Sequence, residues 1–291
     1  MNRTTHIKVK KYRKVFATIL LPVASFAILL LLWQAIVVIF NVQGYIAPRP
    51  LDAIRAVPDN WSIMSPLVIQ IVEETMFGFL LGALIGIFFG VIMSKIPVVQ
   101  KLLYPTLVLS QAVPVIVIAF PLALIFGLGT VRPILAIVVW IVFFPVTVNV
   151  IDGLGHVDKD LLNLAKVYGA AKWRTFIQIE VPATLSPLFS GLKIGATYAI
   201  TGAFIGELAS PENVGNTGTS LAVFTEKASS NLNVPLVYGI TLLMAIIGVT
   251  WFLTMVGFEV LCTPWLRRTT VRHWRRRGIA MPQGDQLTST T

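Results

Sequence analysis

Charge is scarce in this sequence. Of its 291 residues 12% are Asp, Glu, Lys or Arg and 56% are hydrophobic, whereas an ordinary soluble domain carries roughly 25% charged residues. That composition excludes a soluble globular enzyme. Cysteine is reduced to Cys262, so an intramolecular disulfide framework is excluded. The three histidines, His6, His156 and His273, lie in separate segments, with neither an H-E-x-x-H pair nor a Cys/His cluster to hold a metal. A G-x-x-x-x-G-K-[ST] phosphate loop is missing too, so a nucleotide would have to bind to another subunit. Titratable groups do not converge at one membrane face, which leaves a membrane enzyme without its chemistry. No basic patch with interleaved aromatics occurs outside the tails, so nucleic acid is not expected as a partner.

Long apolar runs are what the chain has instead. Six of them, at about 15–40, 67–94, 102–126, 133–151, 188–206 and 234–260, are each long enough to cross a hydrocarbon layer of roughly 30 Å as a helix. The first far exceeds the roughly 7–15 apolar residues of a secretion signal and is kept as a span. The fold expected is therefore an all-α membrane protein of six transmembrane helices. Basic residues orient it. With the N-terminus inside, the inner segments hold Arg3, Lys8, Lys10, Lys11, Arg13 and Lys14, then Lys95 and Lys101, then Lys159, Lys166, Lys172 and Arg174, then Arg267, Arg268, Arg272, Arg275, Arg276 and Arg277; the outer segments hold Arg49, Arg55, Arg132 and Lys227. Both termini are then cytoplasmic, because positive residues stay on the inner side. Residues 1–14 read as a basic tail, 15–265 as the membrane domain, and 266–291 as a second basic tail, disordered towards its end. Lys193, near the inner end of the fifth span, is expected to snorkel to the headgroups.

Polar and small residues mark positions within this frame. Gly78, Gly82, Gly86 and Gly90 recur every four residues, a stripe that lets another helix approach closely. Pro105, Pro114 and Pro121 fall in the third run and Pro145 in the fourth; proline frees a backbone carbonyl, tolerable in lipid only beside protein or a water-filled cavity. Ser110, Gln111, Pro114, Asn149, Thr197, Tyr198 and Thr201 are accordingly candidates for a translocation path, with interhelical hydrogen bonding as the open alternative. Glu73 and Glu74 precede about 28 Å of helix over residues 75–93, which puts both at the outer interface, and Glu207 sits similarly. No charged residue occupies a span centre, which disfavours an ion-coupled secondary transporter. Outside, Leu51–Val57 between prolines reads as a short interfacial helix, and a second short helix is expected over about 220–230.

The stretch 152–187 is the one long inner loop. Leu161, Leu164, Ala165, Tyr168 and Lys172 fall at helical spacing and small residues follow around Gly169 and Ala170, while Asp158 and Asp160 would sit badly against an anionic leaflet. A knob docking into a protein partner, which Gly169 lets approach closely, fits better than an amphipathic helix anchored by Trp173.

The order Asn163-Leu164-Ala165, three residues, Gly169, nine residues, Ile179-Glu-Val-Pro182 resembles the E-A-A, three residues, Gly, nine residues, Ile-x-Leu-Pro motif of permease subunits in bacterial binding-protein-dependent ABC importers. Asn163 stands for the motif's glutamate, Leu164 for an alanine and Val181 for the leucine. Gly127-Leu-Gly129, Phe144-Pro145, Asp152-Gly153 and Gly191-Leu-Lys193 with Ile205-Gly206-Glu207 look like the nitrate, sulfonate, taurine and thiamine-precursor branch, closest to permeases for hydroxymethylpyrimidine or riboflavin-like compounds. The resemblance implies a type I importer permease bundle with a cytoplasmic coupling-helix loop of Asn163, Leu164, Ala165, Tyr168, Gly169, Ala170, Ile179 and Pro182. It further implies a homodimer in a bacterial inner membrane, cytoplasmic ATPase subunits that carry the ATP and Mg, and an extracytoplasmic solute-binding protein. No cofactor and no catalysis are expected in this chain itself.

Overall fold

A computed structural model describes residues 24–210 and 219–264. Both basic tails and the first part of the run 15–40 lie outside the described residues. Everything described is helix or connection, with no strand. In chain order the elements are α1 (Ala24–Ile39), α2 (Pro50–Asp59), α3 (Trp61–Lys95), α4 (Pro97–Ser110), α5 (Val115–Phe126), α6 (Val131–Gly155), α7 (Lys159–Val167), α8 (Lys172–Thr175), a π turn (Phe176–Glu180), α9 (Val181–Ala209), α10 (Leu221–Ser230) and α11 (Val234–Cys262). Helices α3, α6 and α11 and the continuous run Lys172–Ala209 are long and apolar enough to cross a membrane. The short helices expected around 51–57 and 220–230 are α2, opened by Pro50, and α10, whose N-cap Ser220 accepts the Val223 N–H at 3.3 Å.

The run 102–126 departs from expectation. It is a bent pair, α4 and α5 meeting at 103° across residues 111–114, so it forms either one broken crossing or a re-entrant loop. Among the described residues four helices are thus long and apolar enough to cross a membrane, or five if the pair is one span. Pro114 is the cause: it brings no N–H, and it biases Val113 away from helical angles. Pro105 and Pro121, by contrast, sit inside α4 and α5.

The chain divides into two compact units, one drawn from Met1–Leu80, Val113–Ile141 and Tyr198–Val249, the other from Leu81–Ala112, Val142–Thr197 and Thr250–Thr291. In the first, small residues set the packing. A Cβ on Gly78 would meet Val138, one on Gly206 would meet Ile134, and one on Gly239 would lie 2.5 Å from the Ala53 carbonyl oxygen. Ala119, Ala123, Ile137 and Ala209 form a fully enclosed cluster. In the second unit Gly86 and Gly90 face Val146 and Val150, and Thr147, buried on α6, donates to the carbonyls of Phe143 at 2.8 Å and Gly86 at 3.2 Å. Gly78 in the first unit and Gly86 and Gly90 in the second thus each seat a segment of α6, as close packing without a hydrophobic driving force requires.

Two charge placements differ from the sequence reading. Lys193 does not snorkel; its Nζ donates to Glu259 Oε2 of α11 at 2.9 Å, because a cation already within reach of a carboxylate gains more from pairing than from extending alone. Glu73 is exposed, but Glu74 (4% exposed) and Glu207 (0%) are enclosed by protein. Depth along a helix does not say which side a residue faces.

Candidate functional site

Helix α7 is built by its two ends. The carboxylate of Asp158 accepts the Asp160 N–H at 2.8 Å, an N-cap that satisfies one of the free amides of the first turn. At the other end the Ala170 N–H donates to the Ala165 carbonyl and the Gly169 N–H to that of Lys166, both at 2.9 Å, with Gly169 at φ +72°. This is a Schellman closure, with Gly169 at the left-handed position where a side chain is disfavoured. A Cβ there would meet nothing within 4 Å, so the glycine serves the backbone within this chain. Tyr168 therefore ends the helix, and Lys172, expected on the same helical face, starts α8 instead.

The surface this creates is apolar and uncovered. Leu161, Leu164 and Tyr168 form one stripe, and Val167 and Tyr168 are 84% and 81% exposed. Asn163 beside them is exposed, while Ala165 and Ala170 are half-buried. Behind α7 a cleft of about 480 Å³ lies among Leu162, Lys166, Ala170, Trp173 and Phe176. Trp173 stacks on Phe176 with ring centroids 6.0 Å apart.

The second half of the motif shapes the return into the membrane. Pro182 cannot donate to the carbonyl four residues back and its ring would crowd it. The backbone answers with a π turn over Phe176–Glu180, closed by the Val181 N–H on the Phe176 carbonyl, and Ile179 and Pro182 are both half-buried there. Glu180 accepts a hydrogen bond from Lys95, whose Nζ also lies 5.1 Å from the Phe176 ring centroid. The loop is thus tied to the C-terminal end of α3 by an ion pair and a cation–π contact. Sequence reading assigned Lys95 only to the charge count; residues 85 positions apart leave no local signal of pairing.

The candidate path residues are placed separately. Ser110 donates to the Leu107 carbonyl at 2.6 Å; Gln111 caps α4 and Pro114 caps α5, both exposed. Asn149 is half-buried and donates through Nδ2 to the Pro145 carbonyl at 2.8 Å. Thr197 and Thr201 stand one turn apart on α9, exposed like Tyr198, and Thr197 donates to the Lys193 carbonyl at 2.9 Å. The hydroxyls of Ser110 and Thr197 and the amide of Asn149 are thereby satisfied within their own helices.

Comparison with known proteins agrees with this geometry. A probable ABC transporter permease protein of Haemophilus influenzae is 34% identical over 202 residues, covering 68% of this chain and 80% of its own length. The formylaminopyrimidine transport permease protein ThiX of Halalkalibacterium halodurans is 28% identical over 249 residues, 85% of this chain and 96% of its own. The riboflavin transport system permease protein RibX of Chloroflexus aurantiacus is 29% identical, again over 249 residues, 84% and 89% of the two chains. Relatives of this kind are permease components. The family described as binding-protein-dependent transport system inner membrane component matches residues 78–268, a range that takes in the glycine stripe, the capped α7 and the π turn, and the chain belongs to that family of ABC importer permeases.

Proposed function

We propose that this permease carries a small uncharged heteroaromatic nutrient, of the hydroxymethylpyrimidine, thiamine-precursor or riboflavin-like kind, handed over by an extracytoplasmic binding protein. The observation that carries this reading is coverage: relatives named for a formylaminopyrimidine and for riboflavin align over 85% and 84% of the chain. The candidate path residues support it, since Gln111, Tyr198 and Thr201 are exposed polar groups and the set contains no cation, which a sulfonate or nitrate would call for.

In this reading two copies of the chain, related by a two-fold axis, sit in a bacterial inner membrane with both termini cytoplasmic, and two ATPase subunits dock on the two α7 loops. The exposed stripe of Leu161, Leu164 and Tyr168 enters the ATPase cleft, and the Lys95–Glu180 tie passes its movement to α3. Asn163 at the motif's glutamate position leaves that contact neutral. ATP and Mg stay on the ATPase.

The test is ATP hydrolysis and uptake by the reconstituted complex with its binding protein. Labelled pyrimidine or riboflavin is expected to stimulate hydrolysis and to accumulate, and disabling the ATPase to stop accumulation. Stimulation by taurine or another sulfonate alone would overturn the substrate class. Uptake that survives without ATPase and stops with an uncoupler would overturn the mechanism, and one permease per particle by mass would overturn the dimer.

A further inference from the structure

The cleft behind α7 is used neither by the transport reading nor by the docking stripe. Leu162 and Lys166, one turn apart on α7, line it, on the side of the helix roughly opposite Leu161, Leu164 and Tyr168. Across from them the wall is Trp173 stacked on Phe176, with Lys172, Lys95 and Glu180 at its edges. All of these residues belong to the second unit. Its volume of about 480 Å³ falls within the range of roughly 300–1,000 Å³ that sites for small ligands occupy.

Three lysines and one glutamate line this cleft. Lys95 and Glu180 neutralise each other as an ion pair, and the Lys95 Nζ is held 5.1 Å from the Phe176 ring centroid. Lys166 and Lys172 are exposed and stand outside the ion pairs recorded among the described residues, Lys95–Glu180 and Lys193–Glu259. The cleft is therefore positive along one rim and aromatic along the wall beside it. Its depth follows from helix length. Helix α9 has 29 residues, about 43 Å, close to the thickness of a bilayer with its headgroup layers included. With Ala209 at one surface, Glu180 stands at the other, and Lys95, which it meets, is the last residue of the spanning helix α3.

We propose that this cleft binds the headgroup of an anionic phospholipid, its phosphodiester held by Lys166 and Lys172 and its glycerol end lying against Trp173 and Phe176. Cations that close on a phosphate beside an aromatic surface at headgroup level match a lipid in both of its parts, the charged and the apolar. The bound lipid braces α7 against the end of α3 and leaves the stripe of Leu161, Leu164 and Tyr168 free. The site depends on membrane insertion alone, not on the substrate or on a docked ATPase.

Amine acylation of the full-length permease in lipid nanodiscs, read lysine by lysine by mass spectrometry, tests this. Replacing phosphatidylcholine by phosphatidylglycerol is expected to slow the acylation of wild-type Lys166 and Lys172 about fivefold, the worth of roughly one lysine beside an anionic headgroup. Lys159, which opens α7 outside the cleft, should change much less. Lys172→Gln should return Lys166 close to its rate in phosphatidylcholine, because one phosphate serves both lysines, and continued protection of Lys166 there would overturn the proposal. So would equal wild-type rates in the two lipids, or a Lys159 slowed as much as the other two, and these comparisons decide the matter even if the variant fails to fold. Equal slowing by inorganic phosphate in phosphatidylcholine would assign the cleft to a free anion, and slowing only after ATPase subunits are added would assign it to an acidic protein surface; either result overturns the lipid site.

Discussion

Replacing Gly169 by alanine isolates the backbone role of that residue from any docking role. At φ +72° an L side chain is strained by roughly 1–2 kcal/mol, and opening the last turn of α7 relieves that strain. The opening equilibrium is then expected to rise by about 5- to 30-fold. Hydrogen exchange of the Gly169 and Ala170 amides, which close on Lys166 and Ala165, should accelerate accordingly. Gly169→Asn, which tolerates the left-handed conformation, should stay near the wild type. Overall melting should fall by no more than that strain in the alanine variant and stay near the wild type in the asparagine variant, because no atom lies within 4 Å of the added Cβ and the backbone conformation is the only cost. In the reconstituted complex the alanine variant is expected to hydrolyse ATP with weakened substrate stimulation, and the asparagine variant to couple normally. Gly169→Trp should abolish coupling, but it combines the backbone strain with a bulky ring and cannot separate the two effects. Unchanged exchange in the alanine variant would refute the Schellman account. Accelerated exchange with undiminished coupling would refute the need for a closed α7.

Two further outcomes test the bundle. Gly86→Val should lower the melting temperature of the detergent-solubilised protein, since its Cβ would stand 2.9 Å from the Phe143 carbonyl oxygen and overpacking costs about 1–3 kcal/mol; Gly155→Ala, with nothing within 4 Å, should be neutral, and equal effects would sink the stripe's packing role. In a Cys262→Ser background, cysteines at Asn60 and Ser229 should react with a membrane-impermeant thiol reagent in intact cells while one at Lys172 stays dark, and the reverse pattern would invert the orientation.

Much of the frame was legible because its signals are local. Apolar length placed α3, α6, α9 and α11, Pro50 opened α2, and the helical spacing from Leu161 to Tyr168 with small residues after it marked α7, though not its Asp158 cap or its end before Lys172. What escaped was the consequence of breaks. Pro114 read as one of three prolines within a single span, yet with Gln111 and Ala112 before it the chain turns by 103°. Pro182 read as a motif letter, while the structure makes it the reason for a π turn that turns Glu180 to Lys95. Neither follows from hydropathy, since an apolar run looks the same straight or bent.

Pairing between distant residues was harder to see, for a reason peculiar to membranes. A soluble helix shows its inner face by its apolar stripe, but a helix apolar all round has no such stripe. Small residues take over that information, because they mark where another backbone comes close. The four-residue period of Gly78, Gly82, Gly86 and Gly90 extends backwards without a break to Glu74 and Gln70, so Glu74 lies on the same side of α3 as its neighbour Gly78. On α9 the steps Ala196, Ala199, Ala203 and Glu207 follow the same face, and all four are buried. Both glutamates thus stood on the small-residue faces of their helices, where they must meet protein. Taking the depth of Glu74 from helix length and its side from the glycine stripe would have placed it inside the bundle and asked for its partner.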